Sequence, residues 1–257
     1  MTQDLLVEHD GAVMTLTLNR PDKFNALTFA MYTGLAEACA DVPSDVRAII
    51  VTGAGEKAFA AGTDISQFRS FKTPEDGLGY EQRVDEILSA IEACRVPVIA
   101  AMAGACTGGG AAIAACCDIR LASRDMRYGY PIARTLGNCL SARTLQRLIG
   151  IVGGARVTEM LFTSRLLTAQ DCLAAGLVTE ILSDHSVLMT RARSLAAEIA
   201  GYAPLTISTT KQLMRRIRDA APKIDDHDLV AQIYTSADFR EGLDAFLTKR
   251  KPVWTGT

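Results

Sequence analysis

A glycine-rich segment at residues 104–110 is the part of the sequence best suited to chemistry. It follows an apolar run that predicts a buried strand, and it opens a run of small residues that predicts a helix. Gly108, Gly109 and Gly110 at a helix start leave backbone N–H groups bare, and the helix dipole adds positive potential there. Such a turn can hold an oxyanion, although close packing of a helix on a sheet explains the same glycines equally well.

Two better-known phosphate-binding turns do not match this segment. The spacing differs from the G-x-G-x-x-G of dinucleotide-binding proteins, and the segment lies in mid-chain. A P-loop is also excluded, because no Lys-Ser or Lys-Thr pair follows the glycines.

A second run of small residues, at 60–64, has the composition of a loop that touches a ligand. Ala60, Ala61 and Gly62 lack bulky side chains, so a ligand can approach the backbone closely. The same backbone could supply a second N–H donor. Taken alone, the run predicts only a tight turn.

Strands and helices alternate in the first half of the chain, as the apolar pattern predicts. Asp10 and Gly11 predict a hairpin turn, and Thr28 predicts the start of a helix that ends near Ala40. Residues 66–80 are expected to be irregular and mobile, and residues 81–93 to be helical. Apolar runs predict strands at 47–51, 97–103 and 117–122.

The second half is predicted to be almost entirely helical. Helical patterns lie at 142–150, 154–162, 169–175, 186–200, 205–219 and 228–247. An α/β core at residues 1–185 and a helical C-terminal region at 186–257 follow from this change of pattern.

The two loops belong to a set of segments that resembles the crotonase (enoyl-CoA hydratase/isomerase) family. The matching segments occur in the family's order along the whole chain. They are residues 19–27, 59–65, 97–101, 104–110, 117–119, 173–178 and 241–250.

The resemblance implies a spiral of ββα turns, a C-terminal trimerisation region, and trimers that often pair into hexamers. It implies acyl-CoA thioesters as substrates, in fatty acid metabolism, with no cofactor besides the CoA of the substrate. It places an oxyanion hole at the N–H groups of Ala61 and Gly109. It also places the CoA and acyl pocket at Lys23, Ala26, Leu27, Gly62, Thr63, Asp64, Ile65, Gly108 and Gly110.

This sequence departs from the family at both catalytic glutamates. The first glutamate position is occupied by Ala112, and the second by Ile132 or Ala133, since one residue is inserted before Gly137 relative to the family pattern. Addition of water to a double bond needs one group to activate the water and another to deliver a proton. Ordinary hydratase activity is therefore doubtful.

Several polar residues could take over the missing roles. Arg134 could bind a substrate carboxylate through both guanidinium nitrogens, or pair with a CoA phosphate or a neighbouring subunit. Tyr130 could act in the site or merely pack. Glu81 and Asp85 could serve as a relocated acid or base, although most helix carboxylates are solvated. Tyr128, Asn138, Cys139 and Ser141 also flank the second glutamate position.

Other constellations carry less chemistry. Thr107 corresponds to the nucleophile of Clp-type peptidases, which share the family fold, but the histidines lie far away, at positions 9, 185 and 227. The acidic run at 225–228 is interpreted as a helix start, not a metal site.

Composition excludes several classes of protein. The formal net charge is −2 and no long basic run occurs, so no nucleic-acid partner is expected. The uncharged residues 96–117 are rich in Ala and Gly, so we expect no membrane span. Seven cysteines without a C-x-x-C pair, and no visible signal peptide, predict a cytoplasmic protein.

The sequence therefore predicts an acyl-CoA enzyme that stabilises an enolate in an oxyanion hole. Decarboxylation of a malonyl-type thioester needs no protein carboxylate, because the substrate generates its own carbanion. The alternatives are a non-catalytic acyl-CoA binder and a hydratase with relocated acid and base residues.

Overall fold

The computed structural model describes residues 3–257 and contains ten β-strands in two sheets. The strands are β1 (Leu5–Asp10), β2 (Val13–Leu18), β3 (Ala48–Gly53), β4 (Ala58–Ala60), β5 (Val98–Met102), β6 (Ala105–Thr107), β7 (Ile119–Ser123), β8 (Arg127–Gly129), β9 (Leu167–Thr168) and β10 (Glu180–Leu182).

In the described part of the chain, eleven α-helices connect and cover the sheets. They are α1 (Phe29–Ala40), α2 (Pro74–Ala93), α3 (Gly109–Cys116), α4 (Ile132–Thr135), α5 (Ala142–Val152), α6 (Gly154–Thr163), α7 (Ala169–Ala174), α8 (His185–Ala200), α9 (Pro204–Asp219), α10 (His227–Thr235) and α11 (Ala237–Thr248). Short 3-10 helices lie at Pro21–Lys23 and Ile65–Ser70.

The first turn contributes β1 and β2 to the larger sheet, and from β3 onward each turn contributes one strand to each sheet. The larger sheet has the order β1-β2-β3-β5-β7-β10, and the smaller has the order β4-β6-β8-β9. Strands β3, β5 and β7 are parallel neighbours, as are β4, β6 and β8. A strand pair followed by a helix thus repeats along the chain, which confirms the predicted α/β class and its ββα turns.

The central strands are buried on both faces, as their continuous apolar runs require. One face of the larger sheet packs against the core that also includes Leu35 of α1, Leu88 of α2 and Ile113 of α3. The opposite face is covered by α8 through Leu188 and Ala196, among others. Helix α8 therefore closes the core, and the predicted boundary at residue 186 stays a prediction.

Two expectations for helices were wrong. Helix α2 begins at Pro74, not at Glu81, so residues 74–80 of the segment expected to be irregular are α-helical, and the 3-10 helix Ile65–Ser70 occupies its start. Pro74 has the φ angle of a first helical residue, and the Asp76 carboxylate accepts hydrogen bonds from the N–H groups of Lys72 and Thr73. The helix expected at 228–247 is broken at Ser236, whose side chain accepts from Phe239 N and starts α11.

No helix within residues 3–257 is both long and apolar enough to cross a bilayer.

Candidate functional site

The two small-residue loops lie side by side in the structure. They follow β4 and β6, which are parallel neighbours, so both loops leave the same edge of the smaller sheet. A Cβ placed on Gly62 would lie 3.8 Å from Gly109 N and 3.5 Å from Thr107 O. These are ordinary van der Waals distances, so the two loops are close neighbours, and the φ angle of 111° at Gly62 favours glycine there.

Gly109 presents a bare N–H group at the start of α3. Gly108 precedes the helix with φ 52° and ψ −121°, a conformation that essentially only glycine adopts. The Gly109 N–H has no acceptor within residues 3–257. Gly110 serves packing, because a Cβ there would lie 2.7 Å from the Ala60 Cβ. Gly109 thus fits the interpretation as an oxyanion-binding turn, and Gly110 fits the interpretation as close packing.

The other loop differs from its prediction at Ala61. The Ala61 N–H donates to the Phe24 carbonyl oxygen at 2.9 Å, so it is not free to hold an oxyanion. The Thr63 N–H, in contrast, has no acceptor in the described part of the chain. Bare donors at this edge therefore include those of Thr63 and Gly109, one on each loop.

The turn whose Phe24 carbonyl accepts from the Ala61 N–H is held in place by Asn25. Phe24 and Asn25 both have left-handed backbone angles, φ 50° and 53°. The buried Asn25 side chain donates to Ala58 O at 2.7 Å and to Ala54 O at 3.1 Å, and it accepts from Arg20 N at 3.0 Å. These bonds aim the Phe24 carbonyl at Ala61.

The remaining residues predicted to bind substrate surround this turn. Lys23 is exposed, Ala26 and Ile65 are half-buried, and Leu27 is buried. The Asp64 carboxylate accepts from Arg20 Nη1 at 2.9 Å and from Ser66 N at 3.1 Å. Although burial opposes ionisation, the bonds from Ser66 and Arg20 lower the pKa of Asp64. Asp64 is thus occupied in shaping the loop.

Three hydroxyl groups form a chain beside the free N–H groups. Tyr32 Oη lies 2.9 Å from Thr63 Oγ1, which lies 2.8 Å from Tyr80 Oη. A Cβ on Gly109 would overlap the Tyr32 hydroxyl. Sequence patterns do not identify Tyr32 or Tyr80 as site residues. The one signal for Tyr32 is its position directly after Met31, on the inward side of the predicted α1.

The two family glutamate positions are apolar in their surroundings as well as in type. Ala112 is 5% exposed and belongs to the main core, and Ile132 is partly buried against it. Neither position therefore provides a proton donor or acceptor side chain.

Glu81 is the carboxylic acid with the most perturbed environment near the site. Burial raises its pKa to about 7, against the effect of a hydrogen bond from Tyr234 Oη, 2.6 Å from Glu81 Oε1. It lies on α2 next to Tyr80 and lines a cavity of about 920 Å³ together with Asp85 and Asp226. At neutral pH a large fraction of Glu81 is therefore protonated.

Asp85 belongs to a structural network. It accepts from Ser141 Oγ at 3.1 Å and from Arg147 Nη1 at 3.4 Å. Arg147 in turn pairs with the buried Glu92 at 2.8 Å. Burial raises the pKa of Asp85 although Arg147 and Ser141 lower it.

No hydrogen bond or ion pair joins Arg134 or Tyr130 to the two loops within residues 3–257. Arg134 is exposed and has no ion pair within residues 3–257. Tyr130 is fully buried, and its ring lies 6.2 Å from that of Tyr128. Its hydroxyl finds no hydrogen-bond partner in the described residues. Both roles stay predictions.

Thr107 and the acidic run at 225–228 show neither a catalytic triad nor a metal site within residues 3–257. Thr107 is buried at the end of β6, whereas the His227 side chain is 80% exposed at the start of α10. Asp226 accepts from Ala142 N at 2.5 Å, which joins α10 to α5. No cluster of three or more metal-binding side chains occurs in residues 3–257.

Comparison with known proteins extends over almost the entire chain. A family model described as Enoyl-CoA hydratase/isomerase matches residues 8–257. The short-chain-enoyl-CoA hydratase of Clostridium acetobutylicum is 33% identical over 254 residues, covering 96% of each chain. The peroxisomal Delta(3,5)-Delta(2,4)-dienoyl-CoA isomerase of Arabidopsis thaliana is 34% identical, covering 95% of this chain and 92% of that one.

A solved structure is similar to this chain in backbone geometry. Methylmalonyl-CoA decarboxylase in complex with 2-nitronate-propionyl-CoA has a TM-score of 0.91 and 27% identity, with full coverage of both chains. With the family model matching nearly every residue and relatives above 30% identity over the same length, the chain belongs to the enoyl-CoA hydratase/isomerase family.

Proposed function

We propose that this protein binds acyl-CoA thioesters and acts on them through an enolate, and that its reaction is decarboxylation of a short malonyl-type thioester. The observation that carries the proposal is the pair of free N–H groups at Thr63 and Gly109, together with the apolar residues Ala112 and Ile132 at the positions where the family resemblance places glutamates. The site keeps the groups that stabilise an enolate and lacks those that activate water.

The reaction balances without a protein base. The bond from Cα to the carboxylate breaks, and its electron pair moves into the enolate as CO2 leaves. The thioester oxygen gains charge and accepts from the Thr63 and Gly109 N–H groups, whose orientation is preset by the two loops. Water then supplies the proton to Cα. The only coenzyme in this scheme is the CoA of the substrate.

The comparisons support a thioester substrate and leave the reaction open. The relatives named hydratase and isomerase are similar in sequence, whereas the decarboxylase has a TM-score of 0.91. Since one family fold supports several reactions, the residues of the site have to decide among them.

The test is a direct comparison of two substrates. Release of CO2 from methylmalonyl-CoA should exceed hydration of crotonyl-CoA by at least about 10²-fold, because general acid–base catalysis contributes about 10²–10⁴-fold and is missing. Gly109→Pro should abolish decarboxylation, because it removes a donor. Tight binding of both thioesters without any product would instead support the non-catalytic binder.

Glu81 supports a second candidate, a hydratase whose acid has moved. Its raised pKa and its position beside Tyr80 suit a group that exchanges protons near pH 7. Under this hypothesis wild-type protein hydrates crotonyl-CoA at tens of turnovers per second, and Glu81→Gln removes that activity. Under the decarboxylase hypothesis Glu81→Gln leaves CO2 release nearly unchanged.

A further inference from the structure

We propose that the hydroxyl groups of Tyr32, Thr63 and Tyr80 form a subsite for a charged group on Cα of the acyl chain. This inference rests on the proposed function and assigns the side chains that recognise the carboxylate on Cα of a short malonyl-type thioester.

The Tyr32 hydroxyl lies between the two residues whose N–H groups are free. It hydrogen-bonds to Thr63 Oγ1 at 2.9 Å, and it fills the space that a Cβ of Gly109 would occupy. An acyl group whose thioester oxygen is held by Thr63 and Gly109 therefore places its Cα substituent near Tyr32.

The count of hydrogens leaves one donor for a ligand. Three hydroxyls carry three hydrogens, and the two bonds of the chain use two of them. The free O–H can lie on any of the three, and an anion beside Gly109 favours the arrangement in which Tyr80 donates to Thr63 and Thr63 to Tyr32. The free O–H is then that of Tyr32, whose oxygen lies nearest a Cβ on Gly109. Burial raises the pKa of Tyr32 and of Tyr80, so both remain donors at neutral pH.

Packing holds this chain in place and limits the size of the acyl group. The Tyr80 ring lies 4.9 Å from Phe68, 6.0 Å from Phe71 and 6.2 Å from Tyr234, measured between ring centroids. Tyr32 is 1% exposed. Tyr80 cannot move aside without disturbing this aromatic cluster, and Tyr32 cannot without disturbing the main core, so the subsite favours a short acyl chain.

Neutral hydroxyls suit this role better than a guanidinium would. A carboxylate that leaves as CO2 loses its charge in the transition state, so strong binding of that charge slows the reaction. A hydroxyl forms a weaker bond to the carboxylate than an arginine does. The chain can therefore orient the group at a small cost in rate, and exposed Arg134 is not needed.

Calorimetry with two thioesters tests the subsite without relying on turnover. The probes are 2-nitronate-propionyl-CoA, which carries negative charge on the Cα substituent, and propionyl-CoA, which has none. Wild-type protein should bind the nitronate at least tenfold more tightly. Tyr32→Phe should reduce that preference about tenfold, the value of one hydrogen bond to a charged group, and leave propionyl-CoA affinity unchanged.

Two further variants make the outcome decisive. Tyr80→Phe should reduce the preference less than Tyr32→Phe, and Tyr202→Phe, which removes an exposed hydroxyl bonded to Glu198, should not change it. An unchanged preference in Tyr32→Phe overturns the subsite, as does a wild type that binds neither probe. If Tyr32→Phe loses the preference for the nitronate but wild-type protein releases no CO2 from methylmalonyl-CoA, the subsite is supported and the decarboxylase proposal is refuted.

Discussion

At the scale of single residues, the site depends on what Gly109 lacks. Its missing Cβ leaves room for the Tyr32 hydroxyl, and the Leu27 Cδ1 atom would be only 3.2 Å from such a Cβ. The position therefore needs glycine even though an alanine would keep the N–H group. This separates the steric role of Gly109 from its role as a donor.

The double variant of Gly109 and Tyr32 tests that steric role. Gly109→Ala should lower kcat/KM for the thioester at least tenfold, because the new methyl group displaces Tyr32 or the acyl group; a misplacement of about 1 Å can cost 10²-fold. Adding Tyr32→Phe should restore part of the binding of propionyl-CoA, since the overlapping hydroxyl is gone. Gly150→Ala, at a helical position with open space, is the control. If Gly109→Ala and the double variant lost the same amount of propionyl-CoA affinity, the steric explanation would be contradicted.

At the scale of elements, the turn between β2 and α1 decides which N–H groups are free. Asn25 spans from this turn to the chain around β4 through its bonds to Ala54 O and Ala58 O. The left-handed conformation of Phe24 and Asn25 then turns the Phe24 carbonyl toward Ala61. A local sequence motif thus shapes a loop that lies more than 30 residues away.

Removing the Asn25 side chain should loosen both loops. Asn25→Ala leaves the buried Ala58 carbonyl and the Arg20 N–H without these partners, which should lower the free energy of unfolding by roughly 1–3 kcal/mol. It should also raise KM for the thioester, because Thr63 is no longer held in register. Chemical denaturation and initial rates measure the two effects. Asn19→Ala, which removes an exposed bond to Gln3 O, should change stability by about 0.5 kcal/mol or less. Similar effects of both variants would argue against a special role for Asn25.

At the scale of the whole molecule, α9 presents an uncovered apolar surface. Its Leu205, Met214 and Ile217 side chains are 80%, 67% and 76% exposed. Ion pairs of Lys211 with Asp118 and of Arg218 with Glu92, both at 2.6 Å, hold the helix against the core. These bonds fix the orientation of α9, so its apolar residues stay on the outside.

We propose that this surface is covered in a trimer or a dimer of trimers. Light scattering at micromolar concentration should give three or six times the 27.5 kDa chain mass. Leu205→Glu combined with Ile217→Glu should shift the protein toward smaller species, because two charges would enter an apolar interface. A wild type that remains a 27.5 kDa monomer under these conditions would refute the proposal.

The sequence by itself determined the features that depend on residue type and short spacing. The hairpin at Gly11, the cap at Thr28 and the glycine turn before α3 are local, and the structure confirms them. The absence of carboxylates at Ala112 and Ile132 is likewise visible in the sequence. Thr73, Pro74 and Asp76 also encode the start of α2 locally. The expectation of an irregular segment at residues 66–80 overlooked this signal.

Only the tertiary structure decided which backbone and side-chain groups meet. Whether the N–H of Ala61 or of Thr63 is free depends on where the Phe24 carbonyl lies, and hydrogen bonds between distant segments leave no periodic signal in the sequence. The same is true of Tyr32, Thr63 and Tyr80, which come from α1, a loop and α2. The family could be predicted from local motifs, whereas the acyl subsite required the packing of three separate elements.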